Sequence, residues 1–117
     1  ELLIESYQQN QLTDHPLAFA IDYIKHNLHN RIDIKTLADK AFMSKATFFR
    51  QFKHHLGMTP IHYIHQERIK QAQHLLNHTH QSVSEIGYSL GYTSPSYFTS
   101  QFEKVVGCSP SAYRNNG

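Results

Sequence analysis

Apolar residues recur at three- and four-residue spacing along most of this chain, the pattern of amphipathic helices. After Pro16, a residue suited to a first helical turn, Leu17, Phe19, Ala20, Ile21, Ile24 and Leu28 predict a helix over about 17–29, with Asp14 or His15 ahead of it. Asp33 caps a short second helix carrying Ile34, Leu37, Ala38 and Ala41. Ser44 opens a third, in which Phe48, Phe52 and Leu56 fall four apart and Gly57 is the stop. Thr59–Pro60 starts a long helix to about Asn77, with Ile61, Ile64, Ala72, Leu75 and Leu76 inward. Ser84 is read as the cap of a short helix holding Ile86 and Leu90, which Gly91 ends. Ser94–Pro95 begins another, with Phe98, Phe102 and Val106 inward and Gly107 as its stop, and Ser109–Pro110 opens a last one with Tyr113. No segment keeps the two-residue alternation of a strand, so the predicted fold is all-α with about seven helices.

The pattern repeats. Ser44, Phe48, Phe52, Gly57, Thr59, Pro60 and Tyr63 return as Ser94, Phe98, Phe102, Gly107, Ser109, Pro110 and Tyr113, each 50 residues later. Upstream, Leu37, Ala38 and Ala41 return as Ile86, Gly87 and Leu90 at an offset of 49, so the second copy has one extra residue in its turn. Each copy is a short helix, a tight turn and a longer helix. Ala38 and Gly87 fall where two helices approach closely and a small side chain is required. Gly91 falls where the turn favours positive φ, a place taken in the first copy by Phe42 or Met43. This is the helix-turn-helix arrangement, whose second helix enters the major groove of DNA. The boundaries that follow are a linker or the end of an upstream element at 1–15, a first subdomain at 16–58, a linker helix at 59–78 and a second subdomain at 79–117. A helix of some 18 residues measures ~27 Å, which suits the ~34 Å between successive major-groove faces.

Composition narrows the picture further. Charged residues make up 17% of the chain and hydrophobic ones 39%, which excludes a disordered tail, and no apolar run is long enough to span a bilayer. The chain opens on a polar, acidic stretch beginning with Glu1 rather than Met. It therefore reads as a fragment or processed product of a cytoplasmic protein, without a signal peptide. The single cysteine, Cys108, fits a reducing compartment and reads as a small buried filler. Net charge is only +2, a weak electrostatic pointer to nucleic acid, but ten histidines add positive charge in mild acid and should strengthen an anionic contact there.

The residues Leu37-Ala38, Ser44, Arg50-Gln51-Phe52-Lys53, Gly57, Thr59-Pro60, Tyr63-Ile64, Arg68-Ile69, Ala72 and Leu75-Leu76 form one half of a wider resemblance. Ile86-Gly87, Leu90-Gly91-Tyr92, Ser94-Pro95-Ser96-Tyr97-Phe98, Phe102, Gly107, Ser109-Pro110 and Tyr113-Arg114 form the other. Over about 17–115 the chain resembles the C-terminal DNA-binding domain of the AraC/XylS family of bacterial transcription regulators. The resemblance implies two helix-turn-helix subdomains joined by a long linker helix, each placing one recognition helix in the major groove of double-stranded DNA. It also implies contact with RNA polymerase and an upstream sensing or dimerisation domain outside these residues. Regulation, with activation as the expected sign, is the implied role.

Base-reading positions carried over from the family fall on Ala46, Phe49 and Arg50 in the first copy and on Pro95, Ser96, Thr99 and Ser100 in the second. Arg50 can pair bidentately with guanine, whereas Ala46 and Phe49 offer apolar contact to a thymine methyl. Phe49 replaces the polar residue common in relatives, and Ser100 stands where many carry arginine. Lys45, Lys53, Tyr97 and Lys104 suit phosphate contacts. Phe48, Phe52, Phe98 and Phe102 read as core, and Arg68 as a structural contact between subdomains. His74 and His78 lie at zinc-compatible spacing, as do pairs among His54, His55, His62 and His65, but no nearby cysteine or carboxylate completes a set, so no metal or other cofactor is expected. No nucleophile and base are arranged for catalysis, so no enzyme is expected. The alternative is a helical interaction module that does not bind DNA, favoured by the low net charge and Ser100.

Overall fold

The computed structural model describes residues 15–116. The stretch 1–14, with the Asp14 alternative for the first cap, lies outside the described residues. Seven helices make up the described residues: α1 Pro16–His26, α2 Ile34–Lys40, α3 Lys45–Leu56, α4 Pro60–His78, α5 Val83–Ser89, α6 Pro95–Val106 and α7 Pro110–Asn116. They form two compact units, the first from 15–27 and Ile32–Pro60, the second from Leu28–Arg31 and 61–116. All but the first residue of α4 therefore lie in the second unit.

The caps explain most boundaries. The His15 Nδ1 accepts from the Leu17 N–H at 3.1 Å and Asp33 accepts from Lys35 N–H, each satisfying one donor at a helix start. α1 ends at His26, short of residue 29, because Asn27 leaves helical geometry and its side chain donates to the Tyr23 carbonyl at 2.8 Å. α5 is capped by Ser82, not by Ser84. Ser82 and Glu85 form a reciprocal box, with Glu85 N–H donating to Ser82 Oγ at 3.0 Å and Ser82 N–H donating to Glu85 Oε1 at 2.8 Å. The Ser82 backbone N–H, and then the Ser82 hydroxyl, hold the Glu85 carboxyl below its ordinary range.

The first unit buries Leu17, Ala20, Ile24, Leu37, Ala38, Ala41, Phe48 and Phe52. The second has a core of Ile69, Ala72 and Leu76 from α4, Ile86 from α5, Leu90 and Tyr92 from the turn, and Phe98 and Phe102 from α6. Each buried phenylalanine contributes about 1.5–3 kcal/mol of burial. Two residues expected inward are more than half exposed. Phe19 lies about 100° round the helix from the buried row through Ala20, and Ile61 yields its inward place to the fully buried Pro60 beside it. Cys108 is only half-buried, in an open groove beside Leu76, His80 and Tyr113. There Arg114 donates to the carbonyls of Leu76 and Thr79 at 3.2 and 3.3 Å, occupying the C-terminal end of α4 with a cation.

The close approach between α5 and α6 is tightest at Gly87, where a Cβ would stand 2.9 Å from a Phe98 ring carbon and 3.1 Å from Phe98 Cβ. Its counterpart Ala38 is buried but keeps its methyl. Gly87→Ala should therefore destabilise the protein by about 1–3 kcal/mol through overpacking, less up to about 1 kcal/mol regained from alanine's helix preference. Urea denaturation measures the balance, and a variant as stable as the parent would contradict the crowding.

Candidate nucleic-acid interface

The starts of α3 and α6 are set by the turns before them, and the turns are the same at the level of the backbone. In the first unit Phe42 N–H donates to Asp39 O at 3.0 Å and Met43 N–H to Ala38 O at 2.9 Å. In the second, Gly91 N–H donates to Tyr88 O and Tyr92 N–H to Gly87 O, both at 3.1 Å. All four pairs keep the offset of 49. Each turn hinges on one left-handed residue, Gly91 at φ +88 and Phe42 at φ +58. Phe42 is 81% exposed and meets the Phe19 ring edge-on, with centroids 6.1 Å apart. The extra residue of the second copy is thus Thr93, after the turn and before the cap.

Ser44 and Ser94 cap α3 and α6, accepting from the N–H groups of Thr47 and Tyr97 at 3.2 and 3.1 Å. On α3, Ala46, Phe49, Arg50 and Lys53 share one face at helical spacing, and all are exposed, Phe49 at 45%. Lys45 is exposed at the helix start. Arg50 leans on Thr47 Oγ1 through a long contact of 3.5 Å. On α6, Ser96, Ser100 and Lys104 are exposed, whereas Pro95 and Thr99 are half-buried. At the offset of 50, Lys45, Arg50 and Lys53 become Pro95, Ser100 and Glu103. α3 holds three Lys/Arg and no acid, a formal +3, while α6 holds one Lys and one Glu, a formal 0.

Tyr97 is 44% exposed and belongs to a cluster that sequence reasoning missed. Its ring lies 5.8 Å from that of Tyr92 and 6.3 Å, edge-on, from that of His65. Tyr92 is buried, stacks on His65 at 5.9 Å, and its hydroxyl lies 3.3 Å from His65 Nδ1. Arg68, expected to make a structural contact, donates from Nε to Leu28 O at 3.0 Å and from Nη2 to Asn30 O at 2.9 Å. Its guanidinium lies over the Tyr92 ring at 5.9 Å. Leu28–Arg31 belongs to the same compact unit as Arg68, so the contact is internal to the second unit. Burial pushes the Tyr92 phenol up to about 12 and holds His65 below its ordinary value, with the positive charges of Arg68 and His62 acting in the same direction on His65. The offset of 49 pairs Tyr92 with the half-buried Met43, which gives no signal of the cluster.

Among the described residues no three His, Cys, Asp or Glu side chains converge to hold a metal, and no helix is long and apolar enough to cross a membrane. The His74 and His78 rings lie 4.5 Å apart.

Two capped helices presented by one repeated turn define a tandem helix-turn-helix protein, and a family described as "Helix-turn-helix domain" matches residues 37–116. The chain belongs to the AraC/XylS family of transcription regulators, as a DNA-binding domain of the AraC type. It is 39% identical over 92 residues to the MmsAB operon regulatory protein of Pseudomonas aeruginosa, covering 79% of this chain and 30% of that one. It is 32% identical over 102 residues to the transcriptional activator RhaS of Escherichia fergusonii, covering 87% and 37%. The chain thus spans about a third of the length of these relatives. Among solved structures it is similar to the DNA-binding domain of AdpA in complex with a target DNA, at TM-score 0.83 and 36% identity, covering 88% of this chain and 93% of that one.

The matched turns generate a test of opposite signs. Gly91→Ala forces a side chain into the left-handed region, where it also meets Arg68 Nη2 at 3.3 Å, and should cost at least about 1–2 kcal/mol. Phe42→Gly removes that strain from an exposed residue and should leave stability unchanged or raise it by up to about 1 kcal/mol. Thermal unfolding of both variants decides it, and a marked loss for Phe42→Gly would show the Phe19 edge contact to be the larger effect.

Proposed function

We propose that this chain is the DNA-binding part of a bacterial transcription activator and that it reads duplex DNA through α3 and α6. The observation that carries the reading is the pair of identical turns, each delivering a capped helix with an exposed face. A relative of the same fold at 36% identity has been solved with its target DNA bound. On this reading Ala46, Phe49 and Arg50 meet base edges in one major groove, with Lys45 and Lys53 on flanking phosphates. Ser96, Ser100, Thr99 and Pro95 face bases in the other, with Tyr97 and Lys104 on the backbone. The work of the protein is binding rather than catalysis. It takes place in the cytoplasm, with an upstream sensing domain and RNA polymerase as the further partners.

The charge difference between α3 and α6 divides the labour. The first unit sets most of the specificity through Arg50, and the second mainly holds the backbone. Because the two units differ, the site should be asymmetric and bound by one chain, with footprinting showing protection in two groove segments rather than one. On a duplex selected from random sequence, Arg50→Ala should weaken binding by about 1–3 kcal/mol and relax the preference at one base pair. Ser100→Ala should cost less, evenly across sequences. A larger loss for Ser100→Ala would reverse the assignment, and a wild-type chain showing no salt-dependent binding would favour the non-DNA interaction module.

A further inference from the structure

The His65 cluster has a geometry that core packing alone does not require. Tyr92 is buried and reaches Phe98 at 5.2 Å between ring centroids, as a core residue would. Its other contacts run outward: His65 and Arg68 on α4, and Tyr97 on the first turn of α6. Arg68 is itself immobilised by two backbone carbonyls, those of Leu28 and Asn30. Gly91 leaves the guanidinium its space, since a Cβ there would meet Arg68 Nη2. The line Arg68, Tyr92, His65, Tyr97 therefore runs from a fixed cation to a half-exposed phenol at the start of the second reading helix.

We propose that His65, backed by Arg68, is a positioning residue for DNA binding by the second unit, holding Tyr97 through Tyr92 so that its hydroxyl stands ready for a backbone phosphate. This rests on the reading that α6 contacts duplex DNA. Tyr97 occupies the third position of α6, where Ser94 fixes its N–H at 3.1 Å, so the helix sets its backbone while the cluster sets its ring. At the offset of 50 its counterpart on α3 is Thr47, which bonds Ser44 instead, so the first unit holds no equivalent device.

The arrangement has a pH sign. The charged groups acting on His65 are Arg68 and His62 from its own helix, and the titratable groups from the packed elements are Tyr92 and Tyr97. The Leu28–Asn30 stretch offers carbonyls, already bonded to Arg68. Burial, Arg68 and His62 all favour the neutral imidazole, so its pKa in the folded unit lies below the ordinary 6.5. Above pH 6.5 the cluster carries no penalty. As pH falls below 6.5 the loosened state takes up the proton first, and the folded cluster loses ground until it too protonates.

The test is a double-mutant cycle on duplex affinity at fixed ionic strength, using a site selected for this chain. At pH 7.5, His65→Ala should weaken binding about fivefold in the parent and leave the Tyr97→Phe variant, already weaker by a similar factor, unchanged. His65→Gln, neutral and able to hydrogen-bond, should bind like the parent at pH 7.5 and bind more tightly than it at pH 5.5. Equal losses from His65→Ala in both backgrounds would reduce His65 to a packing residue and overturn the proposal. So would identical pH profiles for the parent and His65→Gln. A Tyr97→Phe variant that binds as well as the parent overturns it at the hydroxyl, and a parent that binds no duplex removes the DNA reading of α6 together with it.

Discussion

Both units depend on a backbone constraint six residues long: one residue in left-handed geometry, whose own N–H and that of the next residue are donated back across the turn. Met43 to Ala38 in one unit and Tyr92 to Gly87 in the other close the first helix of the pair and fix where the second begins. The two bonds bring a second donor to carbonyls at the helix end that also accept from the Ala41 and Leu90 N–H groups. Without the left-handed residue the chain could not reverse within that span, and α3 and α6 would not present their faces. That Phe42 takes this geometry, where a glycine serves the other unit, shows that the constraint outweighs the cost of about 1–2 kcal/mol that a side chain brings there.

The helices and their buried rows were legible because periodicity records burial directly. Phe48 and Phe52, and Phe98 and Phe102, are all fully buried, and the repeat carried the architecture with them. The turn strain at Phe42 was half legible, since the 49-residue offset paired it with Gly91. The misreadings have local causes. Ser82 and Ser84 both precede the same apolar residues, and only the reach of Glu85 back to Ser82 chooses between them. Ile61 has the spacing of a core residue, but Pro60 beside it takes the inward place. Cys108 opens onto a groove that Leu76, His80, Tyr113 and Arg114 also line, which leaves it half-buried.

Within the candidate interface the legible part was the list of exposed positions on one helix face. Pro95 and Thr99, on the list, are half-buried and present less surface than Ser96 and Ser100. The part that could not be read from a single sequence was the support behind Tyr97, because it joins residues 27 and more positions apart, His65 with Tyr92 and Arg68 with Leu28. Helical spacing predicts neighbours three and four apart and is silent on such pairs. Two of the histidines have structural places, His15 as a helix cap and His65 in the stack on Tyr92.

Thr93 separates two kinds of duplication in the same chain. Everything up to Tyr92 copies the first unit at one spacing, and everything from Ser94 copies it at the next. The seam lies in the single position that neither the turn bonds nor the cap uses. Residues 45–53 and 95–103 therefore follow their turns and caps at matching places in the two units. The modularity of the two copies resides in that seam: their lengths differ there and their sequences differ beyond it, while the turn bonds and the serine cap are the same.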